Sequence, residues 1–357
     1  MVLDPTVPIA PPSPRLSPRV LAVVLNWNRT DHTVECVESL LNVEYPSLDV
    51  AVCDNASEDV DRLAERLVAT GVRDAGQIRP VRVARLDRAA AVDGGTPDDA
   101  SADVLLIQTG GNFGYAGGNN VGLRYALARD YDYVWVLNND TVVAPDALDA
   151  LVGLLSRYPQ LGIVGSTHFQ YESPRMHLSL GGGPYNKWFG IDTPYHRLPK
   201  DPIAQLRVEH VLGASMLVRV EAIRDVGLMD ESYFLYREET DWCFRMRANG
   251  WDLATTFLSA VWHKLGGTVV HRSPTHDYYS TRNMLVLTKR FFPYALPSVA
   301  AYTFARAMLP KIVRGQFKRI PYVWRAYVDF FRGVTGYVDL TPPPTASKTA
   351  DRTAAGA

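Results

Sequence analysis

Cysteine is scarce: Cys36, Cys53 and Cys243 are the only three in 357 residues. An odd number at such distances builds neither a disulfide framework nor a thiolate metal site, so the expected setting is reducing and cytoplasmic. Excess charge is missing too, since 37 Lys and Arg against 38 Asp and Glu leave a formal net charge of -1. With no global positive field, nucleic acid is not an expected partner, and any electrostatic steering must come from local patches. No unbroken apolar run reaches the ~20 residues of a membrane-spanning helix. Residues 1–18 hold six prolines and lack the apolar run of a signal peptide, so they read as a disordered tail. The Pro-, Ala- and Thr-rich end, residues 339–357, reads the same way. Neither the G-x-G-x-x-G spacing of a dinucleotide fingerprint nor the lysine and spacing of a P-loop occurs.

What remains is 47% hydrophobic, enough for a large core in one main domain. Apolar runs alternate with helical stripes, the order of a doubly wound, mostly parallel α/β sheet with helices on both faces. Strands are expected at Val20–Leu25, Val50–Cys53, Val104–Ile107, Tyr133–Leu137 and Gly162–Gly165. Helices are expected from a Thr30 or Asp31 cap, over Asp59–Ala69, over Gly118–Ala128 and from Pro145. Residues 71–103 break the rhythm, with a weak strand signal at Val81–Val83, and read as a surface insertion.

Two strands end in hard-oxygen side chains, where open α/β sheets bind ligands. Val50–Cys53 runs into Asp54-Asn55-Ala56-Ser57, and Tyr133–Leu137 into Asn138-Asn139-Asp140. Turn formation alone would account for either one, since Asn and Asp bond to nearby backbone; two on one crevice suggest a metal-diphosphate site. After the third strand, Asn112-Phe113-Gly114-Tyr115-Ala116-Gly117-Gly118-Asn119 leads into a helix. Its glycines can bring N–H groups close to a phosphate or sugar, or can simply make a tight turn. Further on, Glu238-Glu239-Thr240-Asp241 opens a helix that ends at Asn249-Gly250. Acidic residues suit a helix N-terminus, yet three carboxylates in one turn repel and raise their pKa values, as a general base requires. On that helix Glu238 and Asp241 share a face, and Trp242 and Met246 can pack inward.

Together with Val23-Val24-Leu25-Asn26-Trp27-Asn28, these segments resemble family 2 glycosyltransferases of GT-A fold, in particular the rhamnosyltransferase-like branch. The likeness runs over residues 19–290, with a nucleotide-binding half at 19–165 and an acceptor half at 166–290. In the second half it rests on Val211-Leu212-Gly213-Ala214-Ser215, Asp230-Glu231-Ser232-Tyr233-Phe234, Glu238-Glu239-Thr240-Asp241-Trp242 and Trp262-His263-Lys264-Leu265-Gly266-Gly267-Thr268. The resemblance implies an inverting transfer of a sugar, rhamnose being the branch's suggestion, from a dTDP- or UDP-linked donor to a hydroxyl of a glycan or lipid-linked glycan. It implies donor contacts from Asn26, Asn28, Asp54, Asn112, Gly114, Gly117, Asn119, Asn138, Asn139 and Arg282, and acceptor contacts from Gly213, Ala214, Ser215, Glu238 and Trp242. Asp140 and His263 would hold Mg2+ or Mn2+ against the diphosphate. Glu239 would be the general base, with Asp241 its competitor; the family has Glu-Asp where this chain carries Glu238-Glu239. Other readings are a noncatalytic nucleotide-sugar or glycan binder, against which the intact carboxylates argue, and a sugar-phosphate nucleotidyltransferase, whose N-terminal Gly-rich loop is missing.

Residues 291–338 change character. Seven Lys or Arg lie between Arg306 and Arg332 against the single Asp329, interleaved with Phe304, Phe317, Trp324 and Phe330. Prolines 293, 297, 310 and 321 interrupt the helical pattern. Either this basic, aromatic surface lies on an anionic membrane, or its helices pack on the catalytic domain or on a second copy of the chain.

Overall fold

The computed structural model describes residues 17–74, 77–96, 99, 101–197, 206–264 and 273–341. Its helices are α1 (Thr30–Leu41), α2 (Val60–Ala69), α3 (Arg88–Val92), α4 (Gly114–Ala128), α5 (Ala147–Arg157), α6 (Val220–Val226), α7 (Glu238–Ala248), α8 (Pro274–Phe291), α9 (Leu296–Val313) and α10 (Ile320–Phe331).

The N-terminal half is a parallel sheet in the spatial order Val83–Asp87, Val104–Gln108, Leu48–Asp54, Val20–Asn26, Tyr133–Asn138. Ser215–Arg219 adds antiparallel to the last of these and then to Leu161–Gln170, which in turn pairs in parallel with Asp252–His263. Alternate residues of the first strand serve opposite faces, as period two demands. Val20, Ala22 and Val24 share a core cluster with α1, α2 and α5 on one side, while Leu21 and Val23 share one with α4, α6 and α7 on the other. The winding reverses between Val20–Asn26 and Tyr133–Asn138, so a topological switch point lies at Asn26 and Asn138.

Several expected elements take different limits. Arg29, without a side-chain cap bond, precedes α1, so Thr30 lies inside the helix. Residues 71–103 are more than a surface insertion: Gly71–Asp74 and Gln77–Pro80 form a hairpin, and Val83–Asp87 completes the sheet edge. Helix α4 begins at Gly114 rather than Gly118, which turns the glycine-rich segment into its first turns. Those glycines serve packing. A Cβ on Gly122 would sit 2.7 and 2.8 Å from the two methyls of Val23, and one on Gly118 would sit 2.4 Å from Leu25 Cδ1. Helix α4 therefore rides directly on the strands that carry the site.

The C-terminal helices fold back on the catalytic half. Tyr278, Tyr279 and Ala326 join Phe234 in one apolar cluster, and the Tyr278 hydroxyl donates to Asp329 at 2.7 Å.

Gly122→Ala should lower the melting temperature, because overpacking against Val23 costs about 1–3 kcal/mol and exceeds the helical gain of about 0.5–1 kcal/mol. Gly153 in α5 faces open space, with nothing within 4 Å of an added Cβ, so Gly153→Ala should raise it. An unchanged or higher melting temperature for Gly122→Ala would contradict the close-packing role.

Candidate active site

Parallel register aligns the strand ends: Asn26 lies opposite Asp54, and Leu25 opposite Asn138. Asn26 is fully buried and ties its neighbours together. Its amide donates to Asp54 Oδ1 at 2.7 Å and to Ser57 Oγ at 3.0 Å. Its carbonyl accepts from Thr33 Oγ1 at 2.7 Å and from Asn139 Nδ2 at 3.3 Å. Asn139 also donates to Thr33 at 3.0 Å. A buried amide with every partner in place is rigid and costly to disturb. Asn28, in left-handed backbone with φ 53°, donates its N–H to Ser57 and accepts from the Glu58 N–H. An open cleft of about 440 Å³ lies beside it, lined by Arg29, His32, Glu58 and Arg62 among others.

Asp140 and His263 meet because Thr141 pairs across from His263 in a short antiparallel ladder. His263 Nε2 stands 3.1 Å from Asp140 Oδ1, and the Lys264 N–H donates to the Asp140 carbonyl at 2.9 Å. Burial would raise the Asp140 carboxyl, but the hydrogen bond and charge of His263 outweigh it and leave the acid below its ordinary value. One ionised carboxylate and one imidazole at a strand end form a donor set that fits Mg2+ or Mn2+ with substrate oxygens completing the shell. Among the described residues no group of three or more protein ligands occurs. Gly266-Gly267-Thr268 lies outside the described residues.

The other wall is Glu239. The turn at Gly213-Ala214 separates it from Asp140: the Asn138 N–H donates to the Ala214 carbonyl at 3.1 Å, and a Cβ on Gly213 would lie 3.5 Å from Glu239 Cγ. The Tyr115 hydroxyl closes the gap by donating to the Gly213 carbonyl at 2.6 Å. Burial, then the charges of Glu239, Glu238 and Asp140, push its pKa well up. Tyr115 sits in a segment whose glycines drew attention to the backbone; as the one large polar side chain there, it was the available signal.

Phe234, Tyr236 and Arg237, the residues leading into α7, hold φ of 64°, 70° and 78°. Left-handed backbone in large residues persists only when neighbours enforce it. Arg282 and Asn283 do so. The Asn283 amide donates to the carbonyls of Tyr233, Leu235 and Tyr236 at 2.9, 2.7 and 3.0 Å, and Arg282 donates to Tyr233 at 3.0 Å and to Gly336 at 2.9 Å. Arg282, fully buried with its guanidinium spent on carbonyls, is thus placed to clamp this loop and not to reach a diphosphate.

Other expected site residues also take structural posts. Trp242 is fully buried with its indole N–H on the Gly227 carbonyl, which removes it from acceptor contact. Ser215 is buried between Trp135 and Ser166. Asp241, without exposure, accepts from Arg245, Arg290 and Tyr233 at 2.6, 2.7 and 3.1 Å, an arrangement that leaves it no path to an acceptor. Gly117 abuts Phe113, the Asn119 side chain bonds back to the Tyr115 carbonyl, and Asn112 Oδ1 accepts from the Asn55 side chain and from the Gly114 N–H. A Cβ on Gly114 would meet the Phe234 carbonyl at 2.0 Å, so that glycine joins α4 to the loop before α7. Thr33, central to these networks, was hidden among ordinary helix residues, while Asn55 was noted as part of a strand-end motif but not as the partner of Asn112 and Gly114.

The family model for glycosyltransferase-like family 2 matches residues 18–282. The chain belongs to this family. It is a glycosyltransferase of GT-A fold, as the sequence motifs implied. The enzyme is 26% identical over 244 residues to the low-salt glycan biosynthesis hexosyltransferase Agl10 of Haloferax volcanii, covering 65% of this chain and 76% of that one. It is 32% identical over 199 residues to the N-acetylglucosaminyl-diphospho-decaprenol L-rhamnosyltransferase of Mycobacterium tuberculosis, covering 48% of this chain and 63% of that one. The crystal structure of S. aureus TarS 1-349 superposes with a TM-score of 0.53 at 13% identity, over 88% of this chain and 81% of that one.

Glu238 is 2% exposed and its Oε2 has no hydrogen-bond partner. Burial, then the charge of Glu239, raises its pKa well above the usual range. The folded enzyme keeps a proton that the unfolded chain releases, so the stability tied to it is complete below the ordinary glutamate pKa and falls as pH rises, by about 1.4 kcal/mol per unit until the folded pKa is passed. Glu238→Gln should therefore melt higher than the parent, by a margin that widens from pH 5 to pH 8. A margin that is constant or shrinks would show Glu238 ionised in the fold.

Proposed function

We propose that this glycosyltransferase is a metal-dependent, inverting enzyme that moves a hexose or deoxyhexose, rhamnose in our reading, from a dTDP- or UDP-linked donor to a hydroxyl of a glycan or lipid-linked glycan. The observation that carries the proposal is the pairing of two unlike carboxylates across the Gly213-Ala214 turn. Asp140 is held ionised beside His263 at the switch point, while burial raises Glu239 above its ordinary value, against the pull of Arg237. Environments that push two acids apart mark different roles for them. The names of the two relatives, a hexosyltransferase and an N-acetylglucosaminyl-diphospho-decaprenol L-rhamnosyltransferase, support the sugar class and a lipid-linked acceptor.

In this reading the nucleoside occupies the cleft beside Asn28 and Ser57, and Asp54 stands at its ribose. Asp140 and His263 would hold the divalent ion, which when bound would offset the negative charge that builds on the departing nucleoside diphosphate. Glu239 takes the proton of the acceptor hydroxyl as that oxygen bonds to the anomeric carbon and the bond to the diphosphate breaks, so configuration inverts. The Arg237–Asp192 ion pair at 2.5 Å stands beside Glu239. Burial would raise Asp192, and the Arg237 guanidinium overrides it and holds the acid at about 2.

Glu239→Gln should lower the transfer rate by a factor of about a hundred to ten thousand and leave donor affinity near the parent's. Asp140→Ala should instead abolish metal-dependent donor binding, measured by calorimetry, along with turnover. Full activity in excess chelator, or near-parental transfer by Glu239→Gln, would overturn the assignment.

A further inference from the structure

The elbow between α9 and α10 is built to present one face outward. Asp277, in the first turn of α8, is 5% exposed and grips the elbow from both sides: Lys311 of α9 at 2.8 Å, and Arg319 before α10 at 2.6 Å. Beyond Gly315, which holds φ of 66°, the Gln316 N–H returns to the Lys311 carbonyl at 2.7 Å and closes the turn. With these two cations drawn inward, the residues between and beside them must face away. Val313 is 84% exposed, Phe317 61%, Trp324 59%, Leu309 58% and Ile312 51%. Leu309, Ile312 and Val313 stand at i, i+3 and i+4, one stripe of α9.

This protruding apolar stripe is bordered by charge of one sign. Residues 296–328 contain no Asp or Glu, and Arg306, Arg314 and Lys318 are exposed with no ion-pair partner among the described residues. Large apolar side chains at a tip, ringed by unpaired cations, match the interface of an anionic bilayer, where acyl chains take the former and headgroup phosphates the latter. No described helix is long and apolar enough to cross a membrane, so the contact is peripheral.

We propose that this elbow docks the enzyme on an anionic lipid surface. Its position links docking to the acceptor side of the site. His276, next to Asp277, meets the Tyr236 ring edge-on at 5.2 Å, and Tyr236 belongs to the clamped loop that delivers Glu239. The first turn of α8 thus bears on both the lipid-facing elbow and the loop of the base. This part rests on the lipid-linked acceptor reading; the docking itself does not.

The test is sedimentation of the full chain with vesicles of phosphatidylcholine alone, and of phosphatidylcholine with phosphatidylglycerol. Binding to the anionic vesicles only, released by salt, is expected. Arg314→Glu with Lys318→Glu should weaken it at least about twenty-fivefold, since each cation near the surface contributes roughly fivefold and the glutamates add repulsion, and Val313→Asp with Phe317→Asp should abolish it. Arg224→Glu on α6 should have no effect. All these residues are exposed, so melting temperatures and transfer to a water-soluble acceptor should match the parent's. No binding, equal binding to both vesicles, or undiminished binding of the elbow variants would overturn the proposal. So would elbow variants that only convert an oligomer to a monomer, which would make the elbow a contact between copies of the chain.

Discussion

The Asn26 carboxamide is the constraint on which the rest depends. Buried at the point where the sheet reverses its winding, it spends both hydrogens on Asp54 and Ser57 and its oxygen on Thr33 and Asn139. These partners lie at or just beyond the ends of Leu48–Asp54 and Tyr133–Asn138, or in α1. One amide therefore fixes the relative positions of these strand ends and of α1 around the crevice. Hydrogen bonds of this kind gain little net energy each, yet leaving any of the groups unpaired in the interior costs more than the bond contributes. The geometry is fixed less by attraction than by the penalty for every alternative.

On the opposite wall the same logic operates through backbone carbonyls. The loop before α7 holds three large residues in left-handed backbone, a conformation it would abandon if free. Arg282 and Asn283 absorb its carbonyls, Gly114 leaves room for the Phe234 carbonyl, and Tyr115 pins the Gly213 turn. Glu239 thus stands on a rigid ledge, the support that the proposed role of base would call for. The C-terminal helices belong to the same device, since Arg282 also donates to the Gly336 carbonyl and Tyr278 is bonded to Asp329.

Much of this was legible in the sequence. Alternating apolar strands and helical stripes gave the doubly wound sheet; Asp54, Asn139, Asp140 and Glu239 were marked by polar groups at strand or helix ends, and Asn26 and His263 by the family resemblance. What escaped was the partnership of side chains. Trp242, Asp241 and Arg282 belong to motifs of the site, but motif membership does not say whether a residue touches ligand or holds up a neighbour that does. Glycines misled in the same way: those of the Gly114–Gly122 stretch let a helix approach a sheet and a loop, a need that arises only in three dimensions. The edge strand at Val83–Asp87 escaped because exposed edge positions tolerate the arginine and aspartate that mask its alternation.

The central claim is that the strand ends at the switch point hold a divalent ion and the donor diphosphate between Asp140 and His263, facing Glu239 across the Gly213 turn. The most direct measurement is anomalous scattering from a crystal of the enzyme grown with Mn2+ and a nucleoside diphosphate. The account predicts a single strong peak bridged by the Asp140 carboxylate, the His263 imidazole and phosphate oxygens. A peak held by other residues, or a bound diphosphate with no metal peak at Asp140, would contradict it.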